Sequence, residues 1–421
     1  GVQTCALPIS LFNNCFVWLY MDKNVNKNIF GEEKNMECTL YLTDSCNLKC
    51  SYCYEGDSKN SIFLTEEKLR LALNYIKTNN PVNDDIHLTL LGGEPLLNKK
   101  LLRKVFEIIN NEYKDIIHLF HYSLTTNGVF LDDEVIQLLL NNNVSLSISI
   151  DGDENTHNLN RESLNGKNVY PLIINNLKKL IHGNIPFSVR MTVTCNNVKH
   201  LYNNVIYFYN MGVKKFHIAY NEFDSWDSDS LTQYDAQMKM LDEFYIKEIV
   251  ENDECLINLY DYKYTTFLAK HEIVYCSAGS KGHVTINSKG EIYPCGYVAN
   301  NKYWNIGNVG EDFSDHSFIE RAKNTVDPNV KKCKSCDIAF TCSGTKCGLK
   351  NYCLTGLLNV TDPKTCKLER ILFEHDNAVF RYLFVKDYNR IKKYLKILKD
   401  YNLEKSDWLL KLEQEVDACT Q

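Results

Sequence analysis

The sequence predicts an α/β protein: a partial (β/α)6 barrel, followed by a small cysteine-rich domain and a helical C-terminal tail. Between residues 38 and 220, six apolar runs typical of strands alternate with stretches of helical periodicity. Such alternation indicates a parallel sheet covered by helices. Six strands are fewer than the eight of a closed barrel, so the barrel is expected to be partial. Beyond it, cysteines cluster over 276–366, and the pattern is helical again from residue 367.

The barrel elements follow one another in a regular order. The first helix begins at Thr65, which is followed by Glu66 and Glu67, and carboxylates are favoured at a helix N-terminus. The strands are predicted at 38–44, 86–93, 119–128, 144–152, 187–194 and 214–220, and the helices at 65–79, 99–113, 131–142, 168–182 and 199–211.

The pattern changes after residue 225. Residues 231–251 are predicted to form one long amphipathic helix. A β-hairpin is predicted over 283–295, because two alternating runs flank the turn sequence Asn-Ser-Lys-Gly at 287–290. The predicted domains are therefore the barrel over 36–225, a helical connector over 226–275, the cysteine-rich domain over 276–370 and the helical tail over 371–421.

The N-terminal segment is expected to be artefactual or disordered over residues 1–35. Residues 1–9, GVQTCALPI, match the translation of a common sequencing-library adapter. Met36 is a candidate start, because the first predicted strand follows it directly.

Composition and charge exclude several classes of protein. The 421 residues are 44% hydrophobic and 24% charged, which is globular, and the net charge of −6 gives no support to nucleic-acid binding. No stretch reaches the roughly 18 apolar residues of a membrane span.

The 17 cysteines fall mostly into two groups, whereas residues 54–194 have none. Short spacings in a large chain indicate metal or cofactor ligands rather than disulfides, and hence a reducing, cytoplasmic location.

The first cysteine group has the spacing of an iron–sulfur site. Cys46, Cys50 and Cys53 form a C-x3-C-x2-C sequence directly after the first predicted strand. Three thiolates can ligate three irons of a 4Fe–4S cluster and leave the fourth iron open to another ligand. A zinc site is the alternative, but zinc usually takes four ligands, paired far apart along the chain.

This triplet, with Tyr52 before its last cysteine, resembles the signature of radical S-adenosyl-L-methionine (SAM) enzymes. In that family SAM chelates the open iron, and its reductive cleavage yields a 5′-deoxyadenosyl radical that abstracts hydrogen from the substrate. The resemblance covers about residues 38–220 and implies that Cys46, Cys50 and Cys53 carry the catalytic cluster. It further implies SAM contacts by Tyr52, by Gly92, Gly93 and Glu94 of a GGEP sequence, by Ser149 and Asp151 after the fourth strand, and by Arg161. Singly, each of these could be an ordinary turn, strand or surface residue.

The second cysteine group resembles the SPASM extension of radical SAM enzymes, which carries two auxiliary 4Fe–4S clusters. One spacing, between Cys342 and Cys347, is a residue longer than the pattern of that extension. The resemblance implies that Cys333, Cys336, Cys342 and Cys366 hold the second auxiliary cluster, and that Cys276, Cys295 and Cys347 hold the first.

Two alternatives remain open in this region. Cys353 either completes the first auxiliary cluster or is a plain loop thiol. A zinc ribbon formed by Cys333, Cys336, Cys342 and Cys347 is the alternative to iron–sulfur ligation. The other cysteines outside the adapter match, at positions 15, 38, 195, 255 and 419, are interpreted as packing thiols or chance.

The resemblance implies an oxidoreductase that acts on a peptide or protein, with a thioether or another cross-link as the expected product. Anaerobic sulfatase maturases, which form formylglycine, are an alternative, but that branch carries an aspartate base where this chain has Gly296. A non-catalytic electron carrier is the other alternative. A reductant such as flavodoxin or ferredoxin is the further expected partner, with no nucleic acid and no membrane.

Overall fold

A computed structural model describes residues 36–55, 61–80, 84–250, 255–269, 283–311, 317–330, 332–386, 391–392, 395–396 and 404–420. The predicted N-terminal segment and Cys276 lie outside this part of the chain. In the described part, no helix combines the length and the apolar character that crossing a membrane requires.

Strands and helices alternate as predicted. The strands are β1 (Met36–Tyr41), β2 (Leu48–Cys50), β3 (Ile86–Leu91), β4 (Phe120–Thr126), β5 (Ser145–Ser149), β6 (Arg161–Ser163), β7 (Phe187–Val193), β8 (Lys215–Tyr220), β9 (Leu256–Ile257), β10 (His283–Ile286), β11 (Glu291–Tyr293) and β12 (Gly307–Asn308). The helices are α1 (Glu66–Asn79), α2 (Lys99–Glu112), α3 (Asp133–Asn141), α4 (Glu154–Asn158), α5 (Tyr170–His182), α6 (Leu201–Met211), α7 (Ser228–Phe244), α8 (Asn258–Leu268), α9 (Ser317–Asn324), α10 (Gly348–Thr355), α11 (Pro363–Lys386) and α12 (Asp407–Thr420).

The six predicted strands lie side by side and parallel, in the order β1-β3-β4-β5-β7-β8. This confirms the α/β fold class. Within the described residues the sheet continues at both ends, through β9 beside β8 and through β10, β11 and β12 beside β1. The predicted hairpin forms, with Gly290 at φ +82° in its turn.

Alternation along the strands separates an apolar face from a polar one. Ile148, Val189 and Phe216 are neighbours in register on three adjacent strands, and all three are buried in the main core. The residue that follows each of them points to the other face, because successive side chains of a strand alternate. The helices therefore cover one face of the sheet, and polar, partly exposed side chains occupy the other.

Local signals define the helix starts that the sequence predicted. The Thr65 side chain accepts a hydrogen bond from the backbone N–H of Lys68, which caps α1. Asp132 caps α3 in the same way.

Three features differ from the sequence-based expectation. The hairpin strand β10 pairs in parallel with β1, so the cysteine-rich region extends the barrel sheet. The long helix predicted to end at 251 is α-helical only to Phe244 and continues as a π-helical turn over Tyr245–Ile249. Tyr245 is buried in that turn and donates its hydroxyl hydrogen to Asp261 at 2.8 Å. Helix α11 crosses the predicted boundary between residues 370 and 371, and the domain boundaries stay predictions.

Candidate active site

The first cysteine group lies on a loop that begins after β1 and includes a small antiparallel ribbon. Cys50 belongs to β2 and is the register partner of Arg161 on β6. The turn after β2 is held by Ser51, whose backbone N–H and hydroxyl both donate to Asn160 at 2.8 Å. Cys46, Cys50 and Cys53 are all partly exposed, so the three predicted ligands remain accessible on one short loop.

The two glycines of the GGEP sequence press against the start of this loop. A side chain on Gly92 would lie 2.1 Å from the carbonyl oxygen of Thr43, and one on Gly93 would lie 2.3 Å from that of Ser45. Gly92 also has a φ of +131°, which side-chain-bearing residues rarely adopt. The close approach allows backbone hydrogen bonds from Gly93 to Thr43 and from Glu94 to Ser45. The glycines therefore fix the strand ends immediately before Cys46.

Glu94 is buried within the site, and its carboxylate holds neighbouring loops together through hydrogen bonds. Its carboxylate accepts hydrogen bonds from the Thr126 hydroxyl at 2.7 Å and from the backbone N–H groups of Leu96 and Asn127 at 3.0 and 2.8 Å. Burial raises the pKa of this carboxyl, although these hydrogen bonds oppose the shift. Asn127 in turn donates to the side chain of Asn47, next to Cys46, at 2.8 Å. Because its oxygens are engaged by the protein, Glu94 positions the loops around the site.

Three predicted SAM-contacting residues meet in one buried group. Asp151 accepts hydrogen bonds from the Tyr52 hydroxyl at 2.5 Å and from Arg161 at 3.0 and 3.2 Å, and the Arg161 guanidinium lies 5.2 Å from the centre of the Tyr52 ring. Burial alone would lower the pKa of Arg161, but Asp151, with smaller contributions from Tyr52 and Cys50, holds that pKa above its usual value. Burial raises the pKa of Tyr52. The group therefore presents a permanently charged guanidinium beside the cysteine loop.

Ser149 lies at the end of β5 and is partly buried. It stands two residues before Asp151, at the same edge of the sheet. Carboxyl ends of parallel strands form the active site of barrel enzymes. The structure thus brings the predicted residues of the barrel to that edge.

In the second cysteine region, one group contains Cys295, Cys347 and Cys353. Burial raises the pKa of the Cys295 thiol to about 12, and the neighbouring Cys347 and Cys353 add to the shift. Cys353 is exposed, and its pKa is raised to about 11 by burial of its sulfur and by Cys347. Cys353 therefore lies with the predicted ligands of the first auxiliary cluster.

The other group contains the predicted ligands of the second auxiliary cluster. Burial raises the pKa of Cys342 to about 12, with smaller contributions from Glu369 and from Cys366. Arg370, on α11 like Cys366, approaches the Cys336 sulfur to 3.9 Å through Nη2. The Cys333 sulfur lies 3.8 Å from the hydroxyl oxygen of Thr361. Two loops and α11 thus carry this second group.

The cysteines of these groups fit iron–sulfur ligation, because they offer thiol ligands in sets of three or four, mostly on short loops. Among the described residues, no three His, Cys, Asp or Glu side chains converge as they would around a single metal ion. The buried or partly buried Cys38, Cys195 and Cys255 lie apart from these groups in the sequence.

An exposed aromatic surface, which the sequence analysis did not identify, lies between the cysteine regions. It consists of Tyr54, Tyr297 and Phe223. The Tyr297 ring centre lies 5.8 Å from that of Tyr54 and 6.1 Å from that of Phe223, and Tyr54 and Phe223 are 50% and 43% exposed. Tyr54 follows Cys53, and the Tyr297 carbonyl accepts a hydrogen bond from the Cys353 thiol at 3.5 Å.

A partial barrel with a cysteine triplet at the carboxyl ends of its strands defines an iron–sulfur enzyme. The family model of the Radical SAM superfamily matches residues 40–201, so this part of the chain is a radical SAM domain. The protein is an enzyme that contains a radical SAM domain, and its cofactors are a 4Fe–4S cluster and S-adenosyl-L-methionine.

Two curated relatives match different lengths of the chain. The cysteine-type anaerobic sulfatase-maturating enzyme of Clostridium perfringens is 25% identical over 319 residues, which are 69% of this chain and 84% of that protein. The sporulation killing factor maturation protein SkfB of Bacillus subtilis is 34% identical over 164 residues, which are 38% of this chain and 37% of SkfB.

A solved structure shares the fold. The structure described as native anSMEcpe with bound AdoMet and Cp18Cys peptide superposes with a TM-score of 0.65 at 19% identity, over 86% of this chain and 99% of that one.

Proposed function

We propose that this radical SAM enzyme modifies a cysteine-containing peptide or protein, and that a thioether is the product. The observation that carries the proposal is the aromatic surface. Tyr54 and Phe223 stand exposed beside the cysteine loop, with the partly exposed Tyr297 between them, outside the buried group around Asp151. Exposed aromatic rings at a site bind large apolar surfaces, and a peptide offers such surfaces along its length.

The relatives support a peptide substrate. The names of two of them describe maturation of sulfatases and of a sporulation killing factor, and the similar solved structure contains a peptide. These three relatives therefore support a polypeptide substrate for this chain.

Each cysteine group has a proposed role. Cys46, Cys50 and Cys53 would hold the cluster that binds SAM, which supplies a 5′-deoxyadenosyl radical for hydrogen abstraction. Arg161 would bind the SAM carboxylate. Its Nε and Nη2 are engaged by Asp151, so the geometry of the guanidinium is fixed before SAM arrives.

Two auxiliary clusters are proposed in the second cysteine region. The first would bind Cys295, Cys347, Cys353 and Cys276, and the second Cys333, Cys336, Cys342 and Cys366. Thiolate ligation requires loss of the thiol protons, so metal binding would offset the raised pKa of the buried thiols.

The surroundings of Gly296 favour a cross-link over formylglycine. A side chain at this position would lie 3.1 Å from the Tyr41 hydroxyl oxygen and 4.0 Å from the Tyr54 ring. Tyr41 is buried and within 3.4 Å of the Tyr54 hydroxyl. The Tyr41 hydroxyl therefore crowds the position at which that branch carries its aspartate base, whereas Tyr54 lies at ordinary van der Waals distance from it. We further propose that the enzyme works in the cytoplasm with a reductant such as flavodoxin or ferredoxin.

The test is an anaerobic assay of the protein reconstituted with iron and sulfide. It is mixed with SAM, dithionite and a small cysteine-containing peptide encoded beside the gene, and the peptide is weighed by mass spectrometry. Loss of two hydrogens per modified site, at a cysteine that resists alkylation, is the expected result. An aldehyde at that cysteine would support formylglycine formation instead. 5′-Deoxyadenosine with unchanged peptides would contradict the peptide proposal but not the radical chemistry.

A further inference from the structure

An arginine lies on the polar face of the sheet, level with Ser149. Ser149, Arg190 and His217 are register partners on β5, β7 and β8, so the three residues form a row across adjacent strands. The preceding register row, from Ile148 to Phe216, is buried in the core. Because side chains alternate along a strand, Arg190 faces away from that core, on the face that includes Ser149.

The side chain of Arg190 is exposed, and it makes no ion pair or hydrogen bond with any residue in the described ranges. Thr192, two residues further along β7, donates its backbone N–H to Asp151 at 3.0 Å. That carboxylate also accepts from Tyr52 and Arg161, so its oxygens are already occupied. Arg190 thus lies next to the predicted SAM site, and no described residue supplies a counter-charge to its guanidinium.

The surroundings of Arg190 are positive or neutral. His217 has its pKa lowered to about 4 by burial, and Arg190 and Lys215 lower it further, so it is neutral at pH 7. Its Nε2 lies 3.2 Å from the hydroxyl oxygen of Tyr262. Lys215 stands two residues before His217, on the same face of β8. These groups form a polar surface that attracts an anion.

We propose that Arg190 binds a carboxylate of the peptide substrate on the polar face of the sheet beside Ser149. The inference rests on the proposed function. A guanidinium binds a carboxylate through two parallel hydrogen bonds, which fixes direction as well as distance. An acidic side chain and the peptide C-terminus present the same group. This contact would orient the peptide so that the residue to be modified faces the edge of the sheet that carries the predicted SAM site.

Arg190→Gln and Arg190→Lys test the proposal in the reconstituted holoenzyme. The probe is the cysteine-containing peptide used above, and peptide modification and 5′-deoxyadenosine formation are measured separately. Loss of a hydrogen bond to a charged group predicts that Arg190→Gln raises the KM for the peptide by about tenfold or more, with the KM for SAM unchanged. Arg190→Lys should lose less affinity than Arg190→Gln, because lysine keeps the charge but cannot form the two parallel hydrogen bonds of a guanidinium.

A matched control and peptide variants separate the outcomes. Lys239→Gln removes an exposed cation from α7 and should leave both KM values unchanged. Two peptide variants are compared, one amidated at its C-terminus and one with its acidic residues replaced by amides. The variant that lacks the carboxylate bound by Arg190 should have the same KM with wild type and with Arg190→Gln. A peptide KM within twofold of wild type in Arg190→Gln, or a raised KM for SAM instead, would overturn the inference alone. Failure of the wild-type enzyme to modify the peptide would overturn the proposed function, and the inference with it.

Discussion

Asp151 and Arg161 form a buried ion pair in which both carboxylate oxygens accept hydrogen bonds from the guanidinium, at 3.0 and 3.2 Å. Nε and Nη2 are the donors, and Nη1 has no partner among the residues that the structure describes. Arg161 also follows Asn160, which holds the turn after Cys50 through Ser51. One residue thus connects the cysteine ribbon to the end of β5.

Arg161→Lys should weaken SAM binding while the fold survives. A lysine keeps the charge but cannot pair with Asp151 through two nitrogens and present a third to SAM. Loss of a hydrogen bond to a charged group corresponds to a KM for SAM that is raised by about 10–100-fold. The rate of 5′-deoxyadenosine formation against SAM concentration measures it. Unchanged iron content would show that the cluster loop is intact, and an unchanged KM would remove Arg161 from the SAM site.

Much of the barrel could be predicted because its signals are local. The register of β3 and β5 follows from alternating apolar residues, and motif residues at strand ends had to meet at one edge of a parallel sheet. The pairing of β10 with β1 could not be predicted, because residues 283 and 37 are linked by no local pattern. The same holds for the aromatic surface, whose three rings come from distant positions in the chain. Arg190 gave a usable signal, because apolar and polar residues alternate along β7 and the charge falls on the polar side of that alternation.

Gly92→Ala should disrupt the cysteine loop more than Gly166→Ala does. Both glycines have positive φ values, +131° and +70°, so both variants carry backbone strain. Only Gly92 also has a backbone oxygen 2.1 Å from the added carbon, whereas nothing lies within 4 Å at Gly166. We expect an additional loss of about 1–3 kcal/mol from overpacking in Gly92→Ala. Thermal unfolding and iron content after reconstitution measure the difference, and equal effects would contradict this role for Gly92.

Tyr297→Ala should raise the KM for the peptide and leave SAM cleavage without peptide unchanged. Tyr297 is the central ring of the aromatic surface, in contact with Tyr54 and Phe223. An aromatic contact is worth about 0.5–1.5 kcal/mol, which corresponds to a KM raised by roughly 2–10-fold. Tyr382→Ala, at an exposed tyrosine on α11, is the control. The same KM in both variants would count against peptide binding at this surface.

Cys353→Ala should remove iron from the first auxiliary cluster. Cys353 neighbours Cys347 and Cys295, as a fourth ligand would. We expect a lower iron content and a changed electron paramagnetic resonance spectrum of the reduced protein. Cys195→Ala provides the control, because that partly buried thiol interacts with Asp224 and Ser230 rather than with other cysteines. A spectrum identical to wild type would make Cys353 a plain loop thiol.

His157→Phe should make the stability of the protein less dependent on pH. His157 is fully buried, neither ring nitrogen has a hydrogen-bond partner among the described residues, and the centre of its ring lies 5.2 Å from that of Tyr170. Burial, with a contribution from Arg161, lowers its pKa from 6.5 to about 4. The unfolded chain therefore binds a proton that the folded chain does not between about pH 6.5 and pH 4, so stability falls as the pH falls through this range.

The size of the effect follows from the same pKa difference. On going from pH 7.5 to pH 5.5, the free energy of unfolding should fall by about 1 kcal/mol more in the wild type than in His157→Phe. Other groups titrate equally in both proteins, so the comparison isolates this one. Unfolding midpoints of wild type and His157→Phe at the two pH values measure it. Parallel losses of stability in the two proteins would mean that His157 is protonated in the folded state and is not held neutral by its burial.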